Sequence, residues 1–389
     1  MNNKSNSGVI AAGLALFSMF FGAGDLIWPL ILGGSAGDKN FYAMLGLLIT
    51  GVSLPLLGLI SMMLFQGDYH SFFGRIGKWP CIAVIFIVQV ILGPVGSIPR
   101  LITLSYATLK PYLPEIVSLA TFSILACAVV LAFTIKPRKV IQLLGLVLTP
   151  ILLLSLGAIL ILGFLSHPEP MPIDLNNSEA FVSGIKVGYN TLDLIASFIF
   201  APLVLSHFIM DSEGFNSQAS KLDIFKKMVK ASLLAAGLLC SMYIGLTYVS
   251  SYFTPLLGDG VKPEERLSAI SMYLLGPYGA LVSCIAVAMA CLTTAIPLVS
   301  IFADYIKKDM FRDKGGNMIP LLITLAISSL IANMGFMGIA NMLSPILQVL
   351  CPGLIVLSVL NIMHKLFETR VSRIPVFATF AISTLSYVM

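Results

Sequence analysis

The chain has 389 residues, of which 58% are hydrophobic and only 11% charged, with a formal net charge of +5. A soluble domain carries about a quarter charged residues, and this composition excludes one, because so much apolar surface cannot be hidden from water. The positive balance is no argument for nucleic acid, whose binding calls for a basic face with stacking aromatics.

A helix needs roughly 20 predominantly apolar residues to cross about 30 Å of hydrocarbon. Eleven segments qualify: 8–32, 41–66, 80–108, 116–135, 140–165, 181–209, 228–253, 278–306, 318–334, 337–363 and 374–389. The pattern predicts an all-α polytopic membrane protein in the lipid bilayer.

The first segment is flawed. Gly22, Gly24 and Pro29 interrupt it, and Asp25 lies near mid-membrane. The short apolar run from Val9 to Phe21, followed by Gly22, Ala23 and Gly24, also fits a cleavable signal peptide. The apolar run resumes at Leu26 and ten spans follow, so a retained, broken span is the reading preferred here. A charge at a helix centre costs about 2.5–3.5 kcal/mol on insertion scales, which makes Asp25 a functional candidate. In the third segment Arg100 is expected to snorkel to the outer interface in preference to pairing with a carboxylate.

The sixth segment carries the other deep acid, Asp193, in the polar run Tyr189, Asn190, Thr191, Asp193. Between segments six and seven, Ser212 to Lys230 has both charge signs and is expected to be a solvated connection with an interfacial helix. The eighth segment holds Thr293 and Thr294. Hydroxyl oxygens suit a hard cation, but membrane threonines also bond back to their own helix. Asp304, at the inner end of this segment, is expected at headgroup level near Lys307 and Lys308. In the tenth, Ser344-Pro345 and Cys351-Pro352-Gly353 predict kinks, with Asn333, Asn341 and Gln348 adding polar atoms.

The six cysteines (Cys81, Cys127, Cys240, Cys284, Cys291, Cys351) lie in or beside apolar segments without metal-site or disulfide spacing, and read as packing residues. His70, His167, His207 and His364 fall in loops or at span ends and are weak proton-relay candidates.

Short loops rich in Lys and Arg stay in the cytoplasm. An inside N-terminus puts seventeen of the 23 Lys and Arg there: Lys4, Arg75, Lys78, Lys136, Arg138, Lys139, Lys221, Lys226, Lys227, Lys230, Lys307, Lys308, Arg312, Lys314, Lys365, Arg370 and Arg373. The C-terminus is then outside. Segments one and six each open a group of five, and an odd number inverts the second group. Two imperfect helices at corresponding places in inverted halves are the pattern of secondary transporters whose substrates bind near the midplane. Residues 8–165 and 181–363 are the expected repeats, with 374–389 an additional helix. Asp25-Leu26-Ile27 and Asp193-Leu194-Ile195 fit the repeat, though three residues carry little weight.

At these positions the sequence resembles the bacterial branched-chain amino acid:cation symporter family over nearly its whole length. Phe21-Gly22-Ala23-Gly24 with Pro29 looks like its first-helix signature, and Gly93-Pro94 with Pro99-Arg100 and Ser105 like its third. Gly188-Tyr189 with Thr191 and Asp193, Cys291-Leu292 with Thr294-Ala295, and Asn333, Gly335, Ser344-Pro345 and Pro352 match further on. The resemblance implies a five-plus-five inverted repeat of the leucine-transporter type with helices one and six discontinuous. It implies that the backbone at Gly22, Ala23 and Gly24 meets the substrate's carboxylate and amino group. Asp25, Tyr189, Asn190 and Asp193 join them at the substrate. Ser18 and Phe21 carbonyls, Thr293 and Thr294 hydroxyls, and Asp25 and Thr191 are the implied cation ligands.

Three departures stand out. Asp25 replaces the family's usual Asn, Ala107 stands where some members have Glu, and the eleventh segment ends at Met389 where the family commonly has twelve spans. An acid at position 25 could ligate a cation or take up a proton. The resemblance implies import of Leu, Ile, Val or Met across a bacterial inner membrane with sodium or protons, with no resident cofactor or metal. Alternatives of another class are an ion channel and a non-transporting amino-acid sensor. An enzyme is not expected, because no loop brings nucleophile, base and orienting group together. Oligomeric state is left open.

Overall fold

The computed structural model describes residues 2–135, 144–166, 172–211, 218–258, 260–314, 316–368 and 373–388. Lys136, Arg138, Lys139, His167 and Arg370 lie outside these residues. Among the described residues every regular element is helical.

The first segment is two helices, α1 (Asn2–Phe20) and α2 (Ala23–Ala36), separated at Phe21 and Gly22. After a 3₁₀ turn at Gly37–Lys39 the chain reverses into α3 (Asn40–Leu48) and α4 (Leu54–Leu64). The helix widens to a π turn at Ile49–Ser53 just before Pro55, which has no amide to return to the preceding turn. A short α5 (Tyr69–Phe73) leads to α6 (Lys78–Leu92) and α7 (Ser97–Leu109), broken at Gly93 to Gly96 where one span is expected. Helices α8 (Leu119–Thr134) and α9 (Thr149–Leu165) follow.

The sixth segment is again two helices, α10 (Asn177–Asn190) and α11 (Asp193–Asp211). They bend by 40° at the break. Helix α12 runs unbroken over 40 residues, Gln218–Leu257. The separate interfacial helix expected in Ser212 to Lys230 is thus corrected: from Gln218 on, this stretch is the first turns of the seventh span, and residues 212–217 lie outside the described ones. Helices α13 (Arg266–Leu275), α14 (Pro277–Tyr305), α15 (Met318–Ala332), α16 (Gly335–Phe367) and α17 (Ile374–Val388) complete the chain.

Six helical runs among the described residues are long and apolar enough to cross a bilayer, and α10 with α11 makes a seventh. The first of these runs, Ala23–Leu64, contains the turn at Gly37–Lys39 and so holds the end of segment one and most of segment two. The remaining expected segments are shorter apolar helices.

The packing is paired in a way that follows the two breaks. Helices α1 and α2 both lie along α12, while α10 lies along α3 and α11 along α4. Glycines set the approach. A Cβ on Gly33 would stand 2.1 Å from the Thr247 carbonyl oxygen, and one on Gly184 would stand 1.9 Å from that of Ala43. Backbones this close need small residues, the usual device of membrane helix pairs. Thus each broken helix is clamped over both of its halves by the following span of the opposite group.

Candidate functional site

Both breaks place an acid in the first turn of the second half-helix. Asp25 is the third residue of α2, and its Oδ2 accepts a hydrogen bond from the Gly22 amide at 2.8 Å. Asp193 opens α11. A helix start leaves amides unpaired and carries positive potential, so acids belong there electrostatically even at membrane depth. At 1% exposure each, Asp25 and Asp193 are buried.

The two acids are joined by a residue that the sequence reading did not single out. The fully buried Tyr243 of α12 brings its hydroxyl to Asp193 Oδ2 at 2.6 Å and also to Asp25 Oδ1. A phenol in the middle of an apolar span must find a polar partner, and that is the signal from which Tyr243 could have been found. The three groups come from three elements and tie both half-helices to α12.

The breaks and the third span enclose a chamber of about 10 Å³, bounded among others by Gly22, Gly24, Asp25, Arg100, Asp193 and Thr294. This is the space of about one water. Nothing larger enters unless the surrounding helices move apart. Phe20, Leu92 and Phe200 form part of the apolar wall.

Arg100 is a correction. It does not snorkel: it is 1% exposed, its Nη1 donates to the Asn190 carbonyl at 3.0 Å, and its guanidinium carbon lies 5.6 Å from the Phe336 ring centroid. Gly93 to Gly96 break the third span and so deliver α7, and Arg100 near its start, to the protein centre.

The candidate cation residues separate. Thr294 Oγ1 donates to the Ser18 carbonyl at 3.1 Å, linking α14 to α1. Thr293 Oγ1 instead bonds the Met289 and Ala290 carbonyls of its own helix at 2.9 and 3.0 Å. Thr191 donates to the Gly188 carbonyl at 2.9 Å, and its Oγ1 accepts from the Asp193 amide at 3.4 Å. Phe21 is fully buried and stacks on Phe17. Ala23 and Thr191 bound the chamber, whereas Tyr189 is partly buried on α10 and Asn190 contributes its backbone carbonyl to Arg100. Asn333 is exposed and bonds back to Ser329 and Leu330, and Gln348 bonds Ser344 in its own helix, so neither reaches the chamber.

Among solved structures, the chain is similar to Mhp1, a nucleobase-cation-symport-1 family transporter with bromovinylhydantoin bound (TM-score 0.65, 12% identity, 97% of this chain and 91% of that one). It is similar too to MhsT in complex with L-phenylalanine (TM-score 0.62, 13% identity, 97% of each chain). At such identities the likeness is one of fold. Among curated proteins, the branched-chain amino acid permease BrnQ of Bacillus subtilis is 31% identical over 376 residues, covering 94% of this chain and 83% of that protein. A putative branched-chain amino acid carrier protein of Staphylococcus aureus is 31% identical over 404 residues, 98% of this chain and 88% of its own. Residues 5–389 match the family described as branched-chain amino acid transport protein. The chain therefore belongs to the branched-chain amino acid transport protein family and is a membrane transporter, not an enzyme.

Proposed function

We propose that this protein is a symporter that imports Leu, Ile, Val or Met into the cell with a cation, across the inner membrane of a bacterium. Residues 8–165 and 181–363 would act as inverted halves, with the N-terminus cytoplasmic and the C-terminus outside. The observation that carries this reading is the meeting of two broken helices, Asp25 and Asp193 at their inner starts, around one small chamber. Half-helix starts and buried acids give the polar end of an amino-acid site, and the apolar wall gives the other. The names of the relatives support the same substrate class.

Two ions fit two places. Sodium is supported by the Ser18 carbonyl facing the Thr294 hydroxyl. A proton is supported by Tyr243, whose single hydrogen cannot serve two carboxylates fully. The second contact is satisfied when one carboxyl is protonated and donates to the phenol oxygen.

Uptake of labelled leucine into proteoliposomes, under an inward sodium gradient and then an inward proton gradient, tests the reading. Accumulation under either supports it and names the ion; accumulation under neither overturns it. Counterflow separates carrier from channel and sensor, since only a carrier lets external leucine speed the exit of labelled leucine.

A further inference from the structure

We propose that Arg100 is the anchor of the substrate's α-carboxylate, an assignment that rests on the amino-acid transport reading and gives its site a charged contact to the carboxylate. A buried guanidinium is costly unless its donors are used. At Arg100 only Nη1 has a partner, the Asn190 carbonyl, and Nε and Nη2 are without one among the described residues. These two nitrogens form one edge of the planar fork, the edge whose parallel N–H groups match both oxygens of a carboxylate.

The rest of the residue is fixed. Burial on α7, the hydrogen bond from Nη1 to the Asn190 carbonyl and the Phe336 ring centroid 5.6 Å from the guanidinium carbon hold the group in place, so its open edge is presented and not searching. Arg100 shares the chamber with Asp25 and Asp193, and a zwitterion has one charge for each side. The carboxylate meets Arg100, the ammonium meets the acids, and the side chain is left to the apolar wall of Phe20, Leu92 and Phe200. The backbone amides of Ala23 and Gly24 then assist the carboxylate, since the Gly22 amide is already taken by Asp25.

The test is binding of leucine against leucinamide, which keeps the ammonium and side chain but has no carboxylate, on full-length protein in proteoliposomes. The wild-type protein is expected to prefer leucine by at least about 100-fold. In R100Q the preference collapses to within about threefold, because leucine weakens and leucinamide does not. R100K keeps the charge without the fork and retains about a tenth of the wild-type preference. Each preference is a ratio within one sample, so a lower yield of folded variant leaves it readable, and R100K alone decides if R100Q does not fold. Equal wild-type binding of leucine and leucinamide overturns the assignment, as does an unchanged preference in either variant. No leucine binding by the wild-type protein overturns the transport reading along with it.

Discussion

Gly24 lies directly against the backbone of Thr191: a methyl group built on it would stand 2.9 Å from the Thr191 carbonyl oxygen and 3.2 Å from its α-carbon. The two helix breaks therefore touch through main chain, and neither side can yield by turning a rotamer. Gly24→Ala is expected to push the half-helices apart and lower leucine uptake at least about tenfold, with stability falling by roughly 1–3 kcal/mol. Gly237→Ala on α12 is the control, since nothing lies within 4 Å of a Cβ there. It should leave uptake unchanged and raise stability by up to about 1 kcal/mol through helix propensity. Transport assays with surface-labelling of both variants check this, and equal uptake by the two would show that the contact is dispensable.

Tyr243 makes Asp25 and Asp193 one unit, so their variants should not add. Asp193→Ala and Tyr243→Phe are each expected to abolish concentrative uptake while leaving the protein in the membrane. Each leaves a buried polar partner exposed to an apolar surrounding, at a cost of about 1–3 kcal/mol. The double variant Asp193→Ala with Tyr243→Phe should be less destabilised than the sum of these two singles, with a coupling of about 0.5–3 kcal/mol in thermal unfolding. Unchanged uptake by Asp193→Ala would remove the acid from the mechanism.

The all-helical membrane architecture was legible in the long apolar runs, and the two breaks and both acids because each is a local conflict: glycine, proline or charge inside an apolar run. Tyr243 was not singled out: its phenol in an apolar span signals a polar partner, but the sequence does not say which one or on which helix. Arg100 was misread for a related reason. Its position near the end of a 29-residue segment placed it at the interface, whereas Gly93 to Gly96 break that segment and carry Arg100 inward. The threonine pair could not be divided from sequence either, because neighbouring positions on a helix point about 100° apart and only the packing says which one faces α1.

That division gives a sharp expectation for sodium. Thr294→Val removes the hydroxyl facing the Ser18 carbonyl and should raise the sodium concentration for half-maximal uptake at least about tenfold, the loss of one neutral oxygen ligand to a charged ion. Thr293→Val removes a hydroxyl bonded only within its own helix and should change it less than about twofold. Sodium titrations of leucine uptake measure both. Equal effects at the two positions would take the ion away from this pair.

Leu192, at the break of the sixth span, has φ +76°, in the left-handed region that a β-carbon disfavours. It is also buried, so its side chain stabilises the fold while its backbone costs about 1–3 kcal/mol. Replacing it separates the two contributions. Leu192→Ala loses the packing and keeps the strain, and Leu192→Gly loses the packing and relieves the strain. Inside a helix glycine is the worse of the two by about 1 kcal/mol; here the order should invert, with Leu192→Gly melting above Leu192→Ala by an amount equivalent to about 1 kcal/mol. Thermal unfolding of the detergent-solubilised variants reads the order directly. If alanine proves the more stable, position 192 is not held in the left-handed region in the membrane, and the sixth span is continuous there instead of broken.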